Sequence, residues 1–192
     1  MTKPIVWTVA GSDSGGGAGT QADVKVMNLL GAHACSVITA LTAQNTIGTG
    51  RLEWVSPEML SAQLDALKTD LPPAAVKLGM LGTVATVELV VSFLETQKVP
   101  FTVCDPVLIS SSGTFLLEAA AWPLLTKRLF PAVDLITPNI PEAEHLLGMK
   151  ITTPADIEAA ARKARSYGVK EVLIKGGHGS HDMDLSSDYW SN

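Results

Sequence analysis

The sequence predicts an α/β protein: a three-layer α/β/α arrangement with a mainly parallel central sheet. Three observations carry this. Short apolar runs alternate with helix-period segments along the chain. Those runs are apolar throughout, as strands covered on both faces are. A glycine-rich turn, Gly11 to Gly19, joins the first run to the first helical segment. The 192 residues, 46% hydrophobic and 17% charged, suit one folded domain with one sizeable core.

The elements follow in order. Ile5 to Ala10 is a strand, and Ala18 to Leu30 a helix with Ala22, Val26, Leu29 and Leu30 on one stripe. Gly31 closes that helix. Ala34 to Ala43 is a second buried strand, and residues 44–50 form a polar loop at its end. Ser56 and Pro57 open a helix as N-cap and first helical residue, and it carries Leu60, Leu64 and Leu67 inward. Ala75 to Met80 is the third strand. Thr83 to Gln97 is a helix with Val87, Val90, Val91 and Leu94 inward. Phe101 to Asp105 is the fourth strand, and residues 110–114 a polar loop. A helix from Leu116 to Leu129 is broken or restarted at Pro123. Val133 to Thr137 is the fifth strand. A helix bearing Glu142 and Leu146 follows, then one capped by Thr153 and Pro154 that ends at Gly168. Val172 to Lys175 is the sixth strand, and the late Tyr189-Trp190 reads as an edge strand.

Charge and cysteine usage narrow the class. The net charge of −5, with no basic stripe, argues against nucleic acid. The N-terminal apolar run is too short to span a membrane, so a cytoplasmic location is expected. Cys35 and Cys104 lie in strands without metal-like spacing and read as buried apolar residues.

The glycine turn opens on a helix N-terminus, which suits an anion or a small polar ligand. No lysine follows its glycines, so it is not a nucleotide P-loop, and it fits the dinucleotide fingerprint poorly. The other unusual residues also gather at strand ends, where open α/β sheets bind ligands. Asp105, Asn139 and Glu142 are hard oxygen donors of the kind that holds Mg²⁺ with waters and phosphates. Lys175, followed by two glycines, suits a phosphate oxygen. Asp23, Gln44 and Met80 offer hydrogen bonds and a soft wall to a small heteroaromatic ring. Each has a plainer alternative: Asn139 as an N-cap, Glu142 or Asp23 as a dipole partner, Asp105 as a strand-end cap, Met80 as core, Gln44 as a loop residue, and Lys175 and His178 as solvated residues.

Taken together, residues 10–23, 37–46, 77–81, 105–107, 135–144 and 174–178 resemble the hydroxymethylpyrimidine/phosphomethylpyrimidine kinases of thiamine biosynthesis, in the ribokinase-like superfamily. The resemblance implies ATP- and Mg²⁺-dependent phosphorylation of 4-amino-5-hydroxymethyl-2-methylpyrimidine and then of its monophosphate. It implies Gln44 on the pyrimidine edge, with Gly11, Asp23, Met80 and Val107 around the ring. Asp105, Thr137, Asn139, Glu142 and Lys175 would serve the nucleotide, Asp105 and Glu142 would hold the metal, and Lys175 would contact the transferring phosphate. The glycine turn then belongs to the acceptor and the later strands to the phosphates. A homodimer is also implied. The family carries a later Gly-Thr-Gly-Cys or Gly-x-Gly-Asp helix start, the anion hole and activating residue, and this chain reaches Asn192 before it. Residues 1–192 are therefore expected to form a single domain incomplete at its C-terminus, with little activity alone. A pyridoxal or pyridoxine kinase and a non-catalytic pyrimidine-binding module are the alternatives.

Overall fold

The computed structural model describes residues 3–108, 115–176 and 187–192. Among these, the first strand organises the sheet. β1 (Ile5–Asp13) pairs in parallel with β2 (His33–Gln44) on one side and with β4 (Ala75–Leu78) on the other. β5 (Thr102–Cys104), β6 (Leu135–Ile136) and β7 (Glu171–Ile174) extend the parallel ladder. Two antiparallel strands close the edges: β3 (Thr49–Trp54) on β2 and β8 (Tyr189–Ser191) on β7. The order is β3-β2-β1-β4-β5-β6-β7-β8. The chain leaves β1 toward β2 and resumes on the other side of β1 at β4. The crevice at their carboxyl ends is therefore the topological switch point of the sheet.

Strand alternation decides which helix covers which face. Trp7 and Val9 of β1 join the core that includes α2 (Pro57–Asp70) and α3 (Val84–Thr96), and the Trp7 ring stacks on Phe93 at 5.4 Å between centroids. Thr8, between them, faces α1 (Gly19–Leu29) across the sheet and bonds to its Asp23. Leu78, Ile136 and Val172 continue the apolar face and are fully buried. Lys77, Val103 and Leu135 share the face of Thr8 by register and are half-buried.

The expected caps form. Ser56 accepts from the Met59 N–H at 3.3 Å, Thr153 and Asp156 cap α6 (Pro154–Arg165) reciprocally, and Gly31 takes φ +85° after α1. Leu60, Leu64, Val87, Val90 and Val91 are buried as expected. The late edge strand is β8.

Three expectations need correction. Residues 44–50 are not a loop. β2 runs on through Gln44, and a turn in which the Asn45 side chain accepts from the Ile47 and Gly48 N–H groups leads into β3. The α1 stripe has the right period but the wrong direction: Val26, Leu29 and Leu30 are 54%, 87% and 81% exposed. The sheet beneath α1 carries Thr8 and Lys77, so the helix turns Thr20 and Asp23 inward and leaves its apolar stripe outside. The helix expected from Leu116 to Leu129 starts later, at Ala119, runs on to Ala132 and is irregular, with 3₁₀ turns at Ala119–Ala121 and Phe130–Ala132, α4 at Trp122–Leu124 and a π turn at Leu125–Leu129. Pro123 and Pro131 cannot donate to a regular ladder, and the Leu116 N–H is drawn to Leu108 O at 2.8 Å. The 110–114 loop and His178 lie outside the described residues.

Candidate active site

A cavity of about 670 Å³ opens at the switch point, a size that suits a small ligand. Its wall includes Gly11, Asp23, Gln44, Met80, Asp105 and Val107, contributed by four different strand ends and α1. The β2–β3 hairpin adds Thr49, Arg51 and Leu52 to the opposite wall. A Cβ at Gly11 would run into the terminal methyl of Met80, so the glycine lets that flexible side chain stand close and a larger residue would push it aside. The Met80 backbone is held by Thr39, whose hydroxyl donates to Met80 O at 2.6 Å. Gln44 is fixed at its backbone: its N–H donates to the Ser14 hydroxyl at 2.8 Å, and its carbonyl accepts from that hydroxyl at 2.7 Å. Its Oε1 accepts from Thr49 at 3.0 Å, and its Nε2 meets no acceptor among the described residues. Gln44 thus brings to the cavity lining an amide N–H donor that is uncommitted among the described residues.

The glycine turn is built around Asp13, which sequence reasoning missed. This carboxylate is 5% exposed. It accepts from the N–H groups of Gly15 at 2.8 Å, Gly17 at 3.0 Å and Ala18 at 2.8 Å. Gln21 bridges the turn from α1, accepting from the Asp13 N–H at 2.8 Å and donating to Ser12 at 2.7 Å. The Gly15, Gly17 and Ala18 amides, which could otherwise face an anionic ligand, are committed to the protein's own carboxylate, and the turn forms one wall of the cavity.

The second cluster lies beside the cavity at the ends of β5, β6 and β7. Lys175 Nζ donates to Asp105 Oδ1 at 2.7 Å, and the Thr137 hydroxyl lies 3.3 Å from the same oxygen. The Lys175 N–H donates to Pro138 O at 2.8 Å, which ties β7 to the entry of α5 (Ile140–Leu147). Asn139 and Glu142 form a capping box. Asn139 Oδ1 accepts from the Glu142 N–H at 2.8 Å, and Glu142 Oε2 accepts from the Asn139 N–H at 2.9 Å. Glu142 is buried. Burial pushes its carboxyl above the ordinary glutamate range, Asp105 adds to that rise, and the Asn139 N–H and Lys175 oppose it. Both residues have a capping role, and the same box brings the Glu142 carboxylate into the field of Asp105 and Lys175. Thr137, Asn139, Glu142 and Lys175 do not line the cavity; Asp105 joins the two groups.

The donor chemistry fits a nucleotide–Mg²⁺ group in one way only. Among the described residues no three His, Cys, Asp or Glu side chains converge on a point. Two carboxylates and a lysine do stand together, which matches Mg²⁺ held largely by waters and phosphates rather than a closed protein cage.

A ring-sized cavity at the switch point, with a lysine–carboxylate cluster at its side, is the arrangement of a ribokinase-like small-molecule kinase. A family model described as phosphomethylpyrimidine kinase matches residues 13–192. The hydroxymethylpyrimidine/phosphomethylpyrimidine kinase of Haemophilus influenzae is 43% identical, over 96% of this chain and 69% of its own. The crystal structure of phosphomethylpyrimidine kinase from Clostridium difficile superposes with a TM-score of 0.87 at 40% identity, covering 97% of this chain and 84% of that one. The pyridoxal kinase of Staphylococcus aureus, solved with ADP, superposes with a TM-score of 0.88 at 29% identity, over 100% of this chain and 69% of that one. The chain spans 35% of the length of longer bifunctional thiamine-biosynthesis relatives. This chain belongs to the phosphomethylpyrimidine kinase family.

Proposed function

We propose that this chain provides the acceptor and phosphate sites for ATP-dependent phosphorylation of 4-amino-5-hydroxymethyl-2-methylpyrimidine and of its monophosphate. The convergence of Gly11, Asp23, Gln44, Met80, Asp105 and Val107 on one cavity carries this reading. On it, Gln44 donates to the ring edge, Met80 and Val107 bound the ring faces, and the slim backbone at Gly11 admits it. Phosphoryl transfer asks mainly for positioning and charge neutralisation. Lys175 would supply the second; what supports this is its ammonium's pairing with Asp105, which lines the cavity. Asp105 and Glu142 are the residues that would hold Mg²⁺ through water, with Thr137 and Asn139 beside the nucleotide; bound Mg²⁺ supplies neutralisation of phosphate charge. The same reading takes the protein to be a cytoplasmic homodimer.

The test is ATP consumption with the hydroxymethylpyrimidine, and direct binding of it, by the longest natural product of this gene. Lys175→Ala is expected to lower kcat by about 10²-fold or more. Gln44→Ala is expected to raise the acceptor KM by about tenfold with little change in the KM for ATP. Pyrimidine binding without turnover supports the non-catalytic module instead. The likeness to a pyridoxal kinase favours a second reading, phosphorylation of pyridoxal or pyridoxine, and the ratio of kcat/KM for the two rings decides between them.

A further inference from the structure

Lys77 is a charged side chain of the cavity to which neither the sequence analysis nor the proposed chemistry gives a role. It sits in the short apolar strand β4, yet it lines the cavity and is only 24% exposed. Its ammonium donates to Asp23 Oδ2 at 2.8 Å, and the fully buried Thr8 donates to the same oxygen at 2.6 Å. Thr8 and Lys77 are register partners on adjacent strands, so the sheet presents both donors to α1 at one point. Gly79 leaves the ammonium its seat, since a Cβ there would lie 3.1 Å from Lys77 Nζ and 2.9 Å from the Ala10 Cβ.

Two donors on Oδ2 hold the carboxylate in one orientation. Oδ1 takes no partner among the described residues. No described side-chain oxygen or nitrogen is both buried and unpartnered, so Oδ1 is reachable, and the space that Asp23 lines is the cavity. The arrangement therefore offers a fixed, acceptor-only oxygen to whatever fills the cavity.

We infer that Lys77 is a positioning residue that sets acceptor selectivity by holding Asp23 as an oriented carboxylate. An oriented carboxylate oxygen favours a ring whose edge presents an N–H donor, as an aminopyrimidine does. It disfavours a ring presenting an ionised hydroxyl at that edge, because two anionic oxygens repel at close range. This inference rests on the acceptor cavity proposed above and adds what distinguishes one ring from another.

The experiment measures binding and turnover of the hydroxymethylpyrimidine and of pyridoxine by the wild-type protein, Lys77→Met, Thr8→Val, Asp23→Asn and the double variant Lys77→Met/Asp23→Asn. Lys77→Met is expected to raise the pyrimidine KM at least about tenfold and to narrow the preference over pyridoxine, with the KM for ATP changed less than about twofold. Thr8→Val removes the other donor without touching charge and is expected to act in the same direction more weakly, which keeps the inference testable if Lys77→Met fails to fold. In the double variant the two effects are expected not to add, because Lys77 acts through Asp23. A lower Tm with unchanged ring preference, or additive effects, overturns the inference and makes the pair purely structural. A wild-type protein that binds no pyrimidine overturns the functional reading and this inference with it. Wild-type binding with unaltered preference in the variants overturns this inference alone.

Discussion

Asp13 shows how a single side chain assigns a role to the segment around it. Three backbone N–H groups point at its carboxylate, so the glycine turn closes on the protein itself. A buried carboxylate accepting several N–H bonds is among the stronger local anchors available to a loop. Asn is nearly isosteric, but its amide nitrogen cannot accept, so at least one of Gly15, Gly17 and Ala18 loses its partner. Asp13→Asn is expected to cost about 1–3 kcal/mol of stability. Because Gly11 and Gly19 line the cavity proposed to hold the acceptor, it should also raise the acceptor KM at least about tenfold while the KM for ATP stays within about threefold. Thermal unfolding together with initial-rate kinetics checks both. A larger effect on the KM for ATP would return the turn to the phosphates. Asp13, like Lys77, was hard to single out in the sequence because its partners are defined by folding. Asp13 answers amides two to five residues on, which carry no side-chain signature, while Lys77 meets Asp23 across 54 residues.

At the scale of elements, what the sequence made legible was whatever is settled within a few residues. Ser56-Pro57, Thr153-Pro154 and Gly31 announce helix ends because capping is local chemistry. The β2–β3 hairpin was read as a loop because β3 is exposed at all but Leu52, so it shows no buried alternation. The α1 stripe showed the right period, yet only the polar pair on the neighbouring strands decides which side of that helix turns inward. Helix α5 carries the prediction at this scale. Its capping box holds Glu142 buried with a carboxyl titrating above the ordinary value of 4.5. The folded chain therefore keeps a proton that the unfolded chain has released. From about pH 4.5 up to the folded value, stability falls as pH rises, because the deprotonated form is disfavoured in the fold. Glu142→Gln keeps an oxygen for the Asn139 N–H and removes the titration. Its Tm is expected to decline less than that of wild type as pH is raised above about 4.5 in calorimetry. Parallel curves for the two proteins would show that Glu142 carries no such burden.

The whole molecule works as a rigid floor beneath a cavity. Cys104 lies at the middle of that floor, paired with Leu78 on one side and Ile136 on the other, and is 1% exposed. Burial pushes its thiol up to about 12, with the neighbouring Asp105 carboxylate adding to the rise. In the native fold this thiol is therefore both shielded and protonated, and a thiol reagent reaches it only when the sheet opens. The backbone that fixes Cys104 also fixes Asp105, the residue shared by the cavity and the lysine–carboxylate cluster. Reaction of Cys104 is thus a measure of how firmly the two halves of the site are held together. In a Cys35→Ser background, labelling at pH 8 is expected to be at least about 10³-fold slower than in the unfolded chain. With added urea the rate should rise with the slope of global unfolding, since the strands on both sides must part before the sulfur is exposed. Labelling that is fast and independent of urea would mean that the centre of the sheet opens locally. Asp105 would then need bound ligand, rather than the fold, to hold it in place.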